Sequence, residues 1–363
     1  MKTRVLAFAT VLILATGGGM GGVAAAGAGT AGGLCANPQT VQGFTTCADI
    51  AAAEREGAVV IYSPDVEQGT AKMLEAFHAL FPKIATNYVR LQAGALYAKV
   101  QAERQARTYV VDVLNLSDVG LAFDFQKRNG YQQYISPEMA AYKPDFKSQP
   151  EGLWTWGSIN TSGIAYNPKV VPPAQAPKSW EDLLDPKWKG AMSVKTSNSG
   201  LQHFTWYMLN KVLGPEFWQK LAQQEPLAFD SQVQQYDRLV NGQDKVMECA
   251  QYSGFLDYRQ KGAPLEYVLP TKGAVAGPEV WGIVDNAPHP NAARLFLDWF
   301  LSPAGQKPFI EALFMHAARP DVAPPAGAAP LSSFKLLYPT DWPDFFASRP
   351  GYLKAWDAMV GRR

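Results

Sequence analysis

The sequence contains 363 residues, of which 47% are hydrophobic and 12% aromatic, and its formal net charge at pH 7 is +1. A chain of this length has room for two domains of ordinary size or for one large domain. It contains no basic run, so its charge pattern gives no indication of a nucleic-acid partner. Beyond the N-terminal region, no apolar run is long enough to predict a membrane-spanning helix.

The N-terminal residues are typical of a secretory signal peptide. Lys2 and Arg4 form a basic start, residues 5–15 are apolar, and the small residues at 24–26 suit cleavage. We predict a signal peptide over 1–30, cleaved within 24–33; an uncleaved membrane anchor is the alternative. Position 32, three places before Cys35, is glycine and not the leucine of a lipid-attachment motif. We therefore predict a free periplasmic protein without a lipid anchor.

The three cysteines are Cys35, Cys47 and Cys249. An exported protein matures in an oxidising compartment. Cys35 and Cys47 lie close together in the leader 31–56, so we predict a disulfide between them. Cys249 lies in the apolar stretch VMECAQ and is predicted to be a buried thiol. The sequence has no C-x-x-C pair and its four histidines are scattered, so neither a zinc site nor a cofactor is predicted.

From residue 57 onward, short apolar runs alternate with helical patterns. The patterns predict strands over 57–63, 86–91 and 110–117, and helices over 71–81 and 95–105. This alternation indicates a mostly parallel sheet with helices on its faces.

A second α/β unit begins near residue 160. Ser179 and Asp182 form a capping box for a short helix, which Pro186 ends. Strands are predicted over 191–194, 245–251, 265–270 and 279–285, and helices from Leu201 and over 290–301, 302–314 and 350–360. Asn291 and Ser302 are the predicted N-caps of the helices at 290 and 302. Residues 271–318 are predicted to return to the first sheet.

Three segments carry a family likeness: PKSWEDLLDPKWKG (177–190), EVWGIVDNAPHPNAARLFLDWFLSPAGQ (279–306) and HAARPDVAPP (316–325). In this order, behind a signal peptide, they closely resemble the extracellular solute-binding proteins of bacterial ABC importers, in the type II branch that includes ferric-ion-binding proteins. The resemblance implies an α/β clamshell of two lobes, each a mixed, mostly parallel sheet flanked by helices. The implied limits are 57–158 plus 275–325 for lobe 1, 159–274 for lobe 2, and 326–363 for a C-terminal helical tail.

Proteins of this family capture a small solute between the lobes and deliver it to a permease and its ATPase at the inner membrane. The resemblance therefore implies a monomeric binding protein that is not an enzyme. A secreted enzyme is a minor alternative: the sequence lacks G-x-S-x-G and H-E-x-x-H, but a carboxylate pair for glycoside cleavage has no fixed spacing. A sensory subunit that presents its closed form to a membrane receptor would have the same sequence features.

Ligands of open α/β sheets bind outside the carboxyl ends of the strands. This rule selects the loops that follow the strands ending near 62, 116, 194 and 250, together with the lobe crossing near 160. The side chains predicted to bind solute are Ser63, Gln68, Ser117, Asp118, Asn160, Thr161, Thr196, Ser197, Asn198, Ser199 and Tyr252.

The loop KTSNSG (195–200) is the most informative of these. It precedes a helix, whose N-terminus favours an anion, and Lys195 adds charge. The alternative is an ordinary N-cap by Ser197 or Ser199. Asp118 either holds an amine or caps the next turn, and Tyr252 either reaches the cleft or packs at its edge. Together these residues favour an anionic or zwitterionic solute.

Ferric iron is the alternative ligand. Many ferric binders of this family carry adjacent tyrosines at the position of QYSG (251–254), whereas here Tyr252 is followed by Ser253. Such binders often also have a histidine in the loop after the first strand, and SPDVEQGT (63–70) has none. The resemblance therefore favours a small organic solute, with Tyr252 as the metal ligand only if iron is bound.

Overall fold

A computed structural model of the chain describes Cys35 and residues 37–360. The predicted signal peptide and its cleavage site lie outside these residues. Within the described part, no helix is both long enough and apolar enough to cross a membrane. The predicted disulfide between Cys35 and Cys47 is present, with a Cα–Cα distance of 5.7 Å. Cys249 is a buried free thiol, as predicted.

The described strands are β1 (Gln39–Val41), β2 (Phe44–Thr46), β3 (Ala58–Ser63), β4 (Ala85–Arg90), β5 (Val113–Leu116), β6 (Thr155–Tyr166), β7 (Met192–Lys195), β8 (Leu227–Phe229), β9 (Val246–Gln251), β10 (Glu266–Val268), β11 (Ala274–Ile283), β12 (His316–Ala317) and β13 (Leu336–Leu337). The described α-helices are α1 (Ile50–Glu56), α2 (Glu67–Leu80), α3 (Ala93–Ala106), α4 (Val119–Lys127), α5 (Gly200–Leu213), α6 (Glu216–Ala222), α7 (Gln232–Val240), α8 (Tyr252–Gln260), α9 (Pro290–Leu301), α10 (Pro303–Leu313), α11 (Trp342–Ala347) and α12 (Arg349–Val360).

Most of these strands belong to one sheet of eleven strands, whose main order is β4-β3-β5-β11-β6-β9-β7-β8. At one end, β3 pairs in parallel with β4 and β5. At the other end, β7 pairs in parallel with β8 and β9. The pairings between β5, β11, β6 and β9 in the middle are antiparallel. The sheet is therefore mixed, with a parallel α/β unit at each end.

The long strands β6 and β11 connect the two ends. They pair antiparallel from Val275 opposite Ser162 to Trp281 opposite Thr155. Both strands are buried along almost their whole length, which is typical of central strands covered on both faces. A Cβ atom on Gly157 of β6 would lie 2.5 Å from Cδ1 of Trp281. The two crossing strands are thus closely packed at this joint, and position 157 requires glycine.

Separate hydrophobic cores lie on the two sides of this joint. The largest contains Phe77 and Trp281 and extends over β3, β5, α2, α9 and α10. On the other side, one core contains Trp180 and Trp188, and another contains Tyr236. The molecule is therefore a two-lobed α/β structure, which confirms the predicted fold class. The exact residue limits of the lobes stay a prediction.

Local sequence signals account for several of the observed elements. Asp182 N donates to Ser179 Oγ at 3.3 Å, and Ser179 N donates to Asp182 Oδ2 at 2.9 Å, so the predicted capping box is present. Ser302 is the N-cap of α10, as predicted. The helices predicted to begin at 71 and 95 begin earlier, at Glu67 and Ala93. Neither helix has a side-chain cap, so the sequence contains no start signal at these points.

Asn291 is not the N-cap of α9, contrary to the prediction. His289 occupies that position, and Asn291 lies inside the first turn. The N–H groups of Asn291 and Ala292 donate instead to Glu56 Oε2 of α1, at 2.9 and 2.8 Å. A carboxylate from a distant part of the chain replaces the local cap, and a local pattern does not reveal such a partner.

Candidate ligand-binding cleft

A cleft of about 1110 Å³ lies between the two lobes, at the carboxyl ends of the strands. The loops after β3, β4 and β5 form one wall, and the loops after β7, β8 and β9 form the other. The crossing strands contribute Asn160, Gly277 and Glu279 to the centre. This is the position that the strand-end rule predicts. Its volume is of the order of small-molecule sites, which occupy about 300–1,000 Å³.

Seven helices of the described chain have their N-terminal ends at this cleft. Residues from the N-cap or first turn of α2, α3, α4, α5, α7, α8 and α12 all line it. The first N–H groups of a helix have no partner within the helix and carry a partial positive charge. Their convergence therefore makes the cleft favourable for an anionic group.

Side chains cap three of these helix ends. Asp118, Ser199 and Ser231 are the N-caps of α4, α5 and α7, and each accepts a hydrogen bond from an N–H of its own first turn. In the described structure, α2, α3 and α8 have no side-chain cap. The first-turn N–H groups of these three helices are therefore the more available donors for a solute.

Three basic side chains among the described residues line the cleft: Arg90, Lys195 and Arg349. Arg90 ends β4, and its Nε donates to the backbone oxygen of Asp65 at 3.0 Å. Lys195 ends β7 and is almost completely buried, with its Nζ donating to the backbone oxygen of Asp230. Burial lowers the pKa of Lys195 below its usual value. Positive charge is thus present on both walls.

Arg349, the first residue of α12, reaches the cleft from the C-terminal region. Its Nη1 donates to Asp118 Oδ2 at 2.9 Å. The other carboxylate oxygen of Asp118 accepts from Gly120 N at 3.0 Å, at the start of α4. Asp118 therefore serves both a helix end and a guanidinium, one with each oxygen.

A pair of carboxyl groups, Asp65 and Glu279, lines the centre of the cleft, and both are at least nine-tenths buried. Asn115 Nδ2 donates to Asp65 Oδ2 at 2.9 Å, and Ser158 Oγ donates to Glu279 Oε2 at 3.0 Å. Burial raises the pKa of both groups, and the charge of the neighbouring Asp65 raises the pKa of Glu279 further. Both shifts favour the protonated form, and the effect is stronger for Glu279.

Five of the predicted solute-binding residues line the cleft: Ser117, Asp118, Asn160, Asn198 and Ser199. They come from both walls and from the crossing strand β6, so the structure brings together residues that are distant in sequence. Ser199 is also the N-cap of α5, which is the alternative role that the sequence left open. Contact of these residues with a solute stays a prediction.

Other predicted residues lie behind this lining. Ser63 and Thr161 are fully buried. Ser63 Oγ donates to Asp65 Oδ2 at 2.8 Å, so Ser63 supports an acid that faces the cleft. Thr161 has no hydrogen-bond partner for its hydroxyl oxygen among the described residues.

Thr196 and Ser197 belong to the KTSNSG loop but do not line the cleft. Thr196 Oγ1 donates to the carboxylate of Asp230, which holds the loop against the start of α7. Ser197 is half-buried and does not cap α5. The side chain of Gln68 lies outside the described part of the structure.

Tyr252 does not reach the cleft. It is 6% exposed, and its ring stacks on His316 with a centroid distance of 5.4 Å. Its hydroxyl oxygen accepts a hydrogen bond from Ala329 N at 3.0 Å. Two segments far along the chain therefore cover this tyrosine. The sequence left open whether Tyr252 reaches the cleft or packs at its edge, and in the structure its ring is packed. A ligand role for Tyr252 stays an untested prediction.

Several cleft residues were not predicted from the sequence. Arg90 ends β4, so the strand-end rule could have selected it from the strand predicted over 86–91. Asp230 follows β8, whose three residues give too weak a signal. Glu279 is the first residue of the strand predicted over 279–285, and no residue of that strand was selected as a ligand contact. Phe345, Phe346 and Arg349 follow no strand of the sheet, and no sequence signal connects them with the cleft.

The geometry defines a class of protein: two α/β lobes joined by crossing strands, with a polar cleft between them that suits a small solute. A sequence profile described as "Bacterial extracellular solute-binding protein" matches residues 108–336, which is more than half of the chain. The chain belongs to this family, as the resemblance of its sequence indicated.

Individual proteins are also similar to this chain. A protein of Haemophilus influenzae described as uncharacterized is 25% identical over 282 residues, covering 70% of this chain and 76% of the relative. The periplasmic binding protein AfuA from Actinobacillus pleuropneumoniae, with exogenous fructose-6-phosphate bound, superposes with a TM-score of 0.72 at 21% identity, covering 85% of this chain and 99% of that chain. Iron-bound HitA from Pseudomonas aeruginosa superposes with a TM-score of 0.71 at 18% identity, covering 83% and 99%. At these identities the two structures support the type II fold and not a particular ligand.

Proposed function

We propose that this chain is the substrate-binding subunit of an ABC importer, which captures a small anionic or zwitterionic solute in the cleft and delivers it to a membrane permease and its ATPase. The observation that carries the proposal is the convergence of seven helix N-termini on one cleft in the described chain. Backbone N–H groups and a partial positive charge at each helix start are the elements with which proteins bind phosphate and carboxylate groups.

The acids at the centre of the cleft favour a solute that also carries donor groups. Asp65 and Glu279 offer oxygen atoms to a hydroxyl or an ammonium group, while the helix ends and basic side chains offer donors to an anion. A solute with an anionic group at one end and hydroxyl or amine groups at the other satisfies both. This arrangement supports a polar organic solute over a simple inorganic anion.

Ferric iron remains the second candidate because HitA, which has the same fold, was solved with iron bound. Phenolate oxygens are hard anionic ligands that suit Fe(III), and no tyrosine is present among the described residues that line the cleft. Nor do three or more His, Cys, Asp or Glu side chains of the described chain come together as a metal site. These observations weigh in favour of an organic solute.

The proposed mechanism is closure of the two lobes around the solute. A solute favours the closed form only through contacts that it makes better in that form. Residues on both walls are placed for such contacts: Gly94 at the start of α3 lines one wall, and Gly200 and Ser253 line the opposite wall. In this proposal the protein acts as an exported, monomeric periplasmic protein and binds its solute without chemical turnover.

A thermal-shift screen of the mature protein, purified in the presence of a chelator, tests this function. The panel contains sugar phosphates, phosphonates, carboxylates, amino acids, polyamines and ferric citrate. A solute at 100 times its dissociation constant adds about 2.7 kcal/mol to the free energy of unfolding, which raises the melting temperature clearly. We expect a shift with an anionic or zwitterionic organic solute that is recovered chemically unchanged.

Two results would count against the proposal. A shift with ferric citrate alone, accompanied by a visible phenolate colour, would establish the iron alternative. Chemical conversion of the solute that binds would establish an enzyme.

A further inference from the structure

The cleft has a component that lies outside the matched family region. The family match ends at residue 336, but Phe345, Phe346 and Arg349 line the cleft. They belong to a segment that we call the C-terminal strap, defined as residues 342–360 and composed of α11, Ser348 and α12.

The strap is anchored in the second lobe through α12. Trp356 is 1% exposed, and its ring lies against Trp218 with a centroid distance of 5.1 Å. Its Nε1 donates to the backbone oxygen of Lys195 at 2.9 Å, at the end of β7. The strap is therefore tied directly to a strand end at the wall of the cleft.

The strap is anchored in the first lobe through α11. Phe346 packs on Phe123 of α4 with a centroid distance of 4.9 Å. A Cβ atom on Gly120, in the first turn of α4, would lie 3.2 Å from the ring of Phe346. The strap thus contacts α4 and also, through α12, the second lobe, and it bridges the two walls of the cleft.

His203 of α5 fixes the beginning of α12. Its ring stacks between Phe345 and Tyr352, with centroid distances of 4.4 and 4.8 Å, and its Nε2 lies 2.9 Å from Ser348 Oγ. Burial, with a smaller contribution from the charge of Arg349, lowers the pKa of His203 to about 3. The ring is neutral at physiological pH, so it acts as packing next to Arg349 and does not add a second charge.

Arg349 has unused hydrogen-bonding capacity. A guanidinium carries five N–H donors in a planar fork that matches carboxylate and phosphate groups. In the described structure Arg349 uses only Nη1, on Asp118, and its side chain is 39% exposed. One carboxylate oxygen of Asp118 accepts from Arg349 and the other accepts from Gly120 N at the start of α4. Asp118 therefore orients the guanidinium of Arg349 without occupying the other N–H donors of the guanidinium.

The position of Arg349 places this free fork beside two helix starts. Asp118 is the N-cap of α4. A Cβ atom on Gly200, the first residue of α5, would lie 3.7 Å from the backbone oxygen of Ser117, so the starts of α4 and α5 adjoin each other at the lining of the cleft. A cation and two helix N-termini therefore meet at one point of the lining.

We propose that Arg349 is the specificity-determining cation of the cleft, which binds the anionic group of the solute beside the adjoining starts of α4 and α5. The proposal rests on the proposed function and adds to it the residue that selects an anion. It also gives the C-terminal strap a role, since the strap carries this cation between the lobes.

The test is isothermal titration calorimetry of the mature protein with fructose 6-phosphate, citrate and inorganic phosphate, and with uncharged fructose as the matched probe. Each is titrated into the wild type and into Arg349→Ala, Arg349→Lys and Lys211→Ala. Lys211→Ala is the control, because Lys211 pairs with Asp344 of the strap at 2.8 Å and does not line the cleft. Melting temperatures without ligand verify that each variant is folded, and Arg349→Lys keeps the test valid if the alanine variant is not.

We expect an anionic probe to bind the wild type and fructose not to bind. Arg349→Ala should weaken the anion by about 10- to 100-fold, the range for a lost hydrogen bond to a charged group. Arg349→Lys should lie between, since it keeps the charge but loses the fork, and Lys211→Ala should stay within about twofold, as a surface pair contributes little.

Equal anion affinity in Arg349→Ala and wild type would overturn the role of Arg349 and leave the proposed function intact. Binding of fructose, or of a polyamine from the thermal-shift panel, without any anionic probe would overturn anion selection and still support a solute-binding protein. Only a wild type that binds no member of either panel would remove the proposed function itself.

Discussion

Buried carboxyl groups are the most unusual single residues of this protein. Glu248 on β9 is completely buried, and its Oε1 accepts from Gln202 Nε2 at 3.1 Å, whereas Oε2 has no partner among the described residues. Burial raises the pKa of Glu248 to about 8. The side chain is therefore protonated at neutral pH, and its ionisation at higher pH opposes folding.

This residue predicts a pH-dependent stability. The folded state keeps the proton of Glu248 up to about pH 8, whereas the unfolded chain releases it near 4.5. The contribution of Glu248 to stability is therefore complete below pH 4.5 and decreases as the pH rises to 8. In Glu248→Gln no group titrates at this position. The free energy of unfolding of this variant should rise relative to wild type through this window, by up to about 1.4 kcal/mol per pH unit.

Urea unfolding at about pH 5, 7 and 8.5 measures the difference in free energy of unfolding between Glu248→Gln and wild type. The standard reference pKa of a glutamate describes Glu248 in the unfolded chain. Glu75→Gln, a change of an exposed glutamate on α2, is the matched control. A difference between Glu248→Gln and wild type that stays constant over the three pH values would show that Glu248 ionises normally in the folded protein.

Sequence reasoning located the loops of the cleft but not the direction of each side chain. Ser117 was identified because it follows a strand, and Asn160 because it lies on the predicted lobe crossing. Both positions are at the edge of the sheet where the strands end and where ligands of open α/β sheets bind. Tyr252 was open to two readings because its environment depends on Ala329 and His316, which lie far along the chain. Arg349 had no sequence signal, since only the packing of α12 brings it to the cleft.

Among the elements, α12 shows best how a predicted helix acquires an unpredicted role. Its amphipathic pattern was recognised over 350–360, and the observed helix is Arg349–Val360. What the pattern could not show is the surface that covers its apolar face. That surface is the core of the second lobe, where Tyr352 and Trp356 are buried.

Removing the anchor of this helix should destabilise the whole protein. Trp356→Ala deletes a buried indole and the hydrogen bond to Lys195, so the free energy of unfolding should fall by about 3–5 kcal/mol. Urea unfolding measures the loss. Lys354→Ala on the exposed side of α12 should change stability by less than about 0.5 kcal/mol. A similar small change in Trp356→Ala would mean that the strap packs loosely against its lobe.

The crossing strands make a second prediction at this scale. Gly157→Ala places a methyl group against the rings of Trp281 and Phe300, which are fully buried and cannot move aside. Overpacking of this kind costs about 1–3 kcal/mol. Gly94→Ala on α3, where the added atom meets nothing within 4 Å, is the control and should be neutral or slightly stabilising. Equal stability of the two variants, measured by urea unfolding, would contradict the close packing of the joint.

At the level of the whole molecule, alternation of strands and helices was sufficient to predict two α/β units. Family likeness then supplied the two-lobed arrangement. Neither the alternation nor the family likeness predicted the order of the strands in the sheet, because the antiparallel pairing of β6 with β11 joins residues more than a hundred positions apart. Short strands such as β12 and β13, of two residues each, carry no periodic signal and exist only through their partners.

A clamshell holds its solute from two sides, so both walls of the cleft must contribute contacts. The starts of α3 and α4 in one lobe and of α5 and α8 in the other line the cleft, and those of α3 and α8 have no side-chain cap. A solute that bound one wall only would not favour closure, because it would gain no additional contacts in the closed form.

The most direct measurement is therefore amide hydrogen exchange of the mature protein, with and without the solute that gives the largest thermal shift. We expect slower exchange in the first turns of α3 and α4 and also in the first turns of α5 and α8, with α1 and the β1–β2 hairpin unchanged. Protection confined to one wall, or located away from the cleft, would contradict capture of the solute between the lobes.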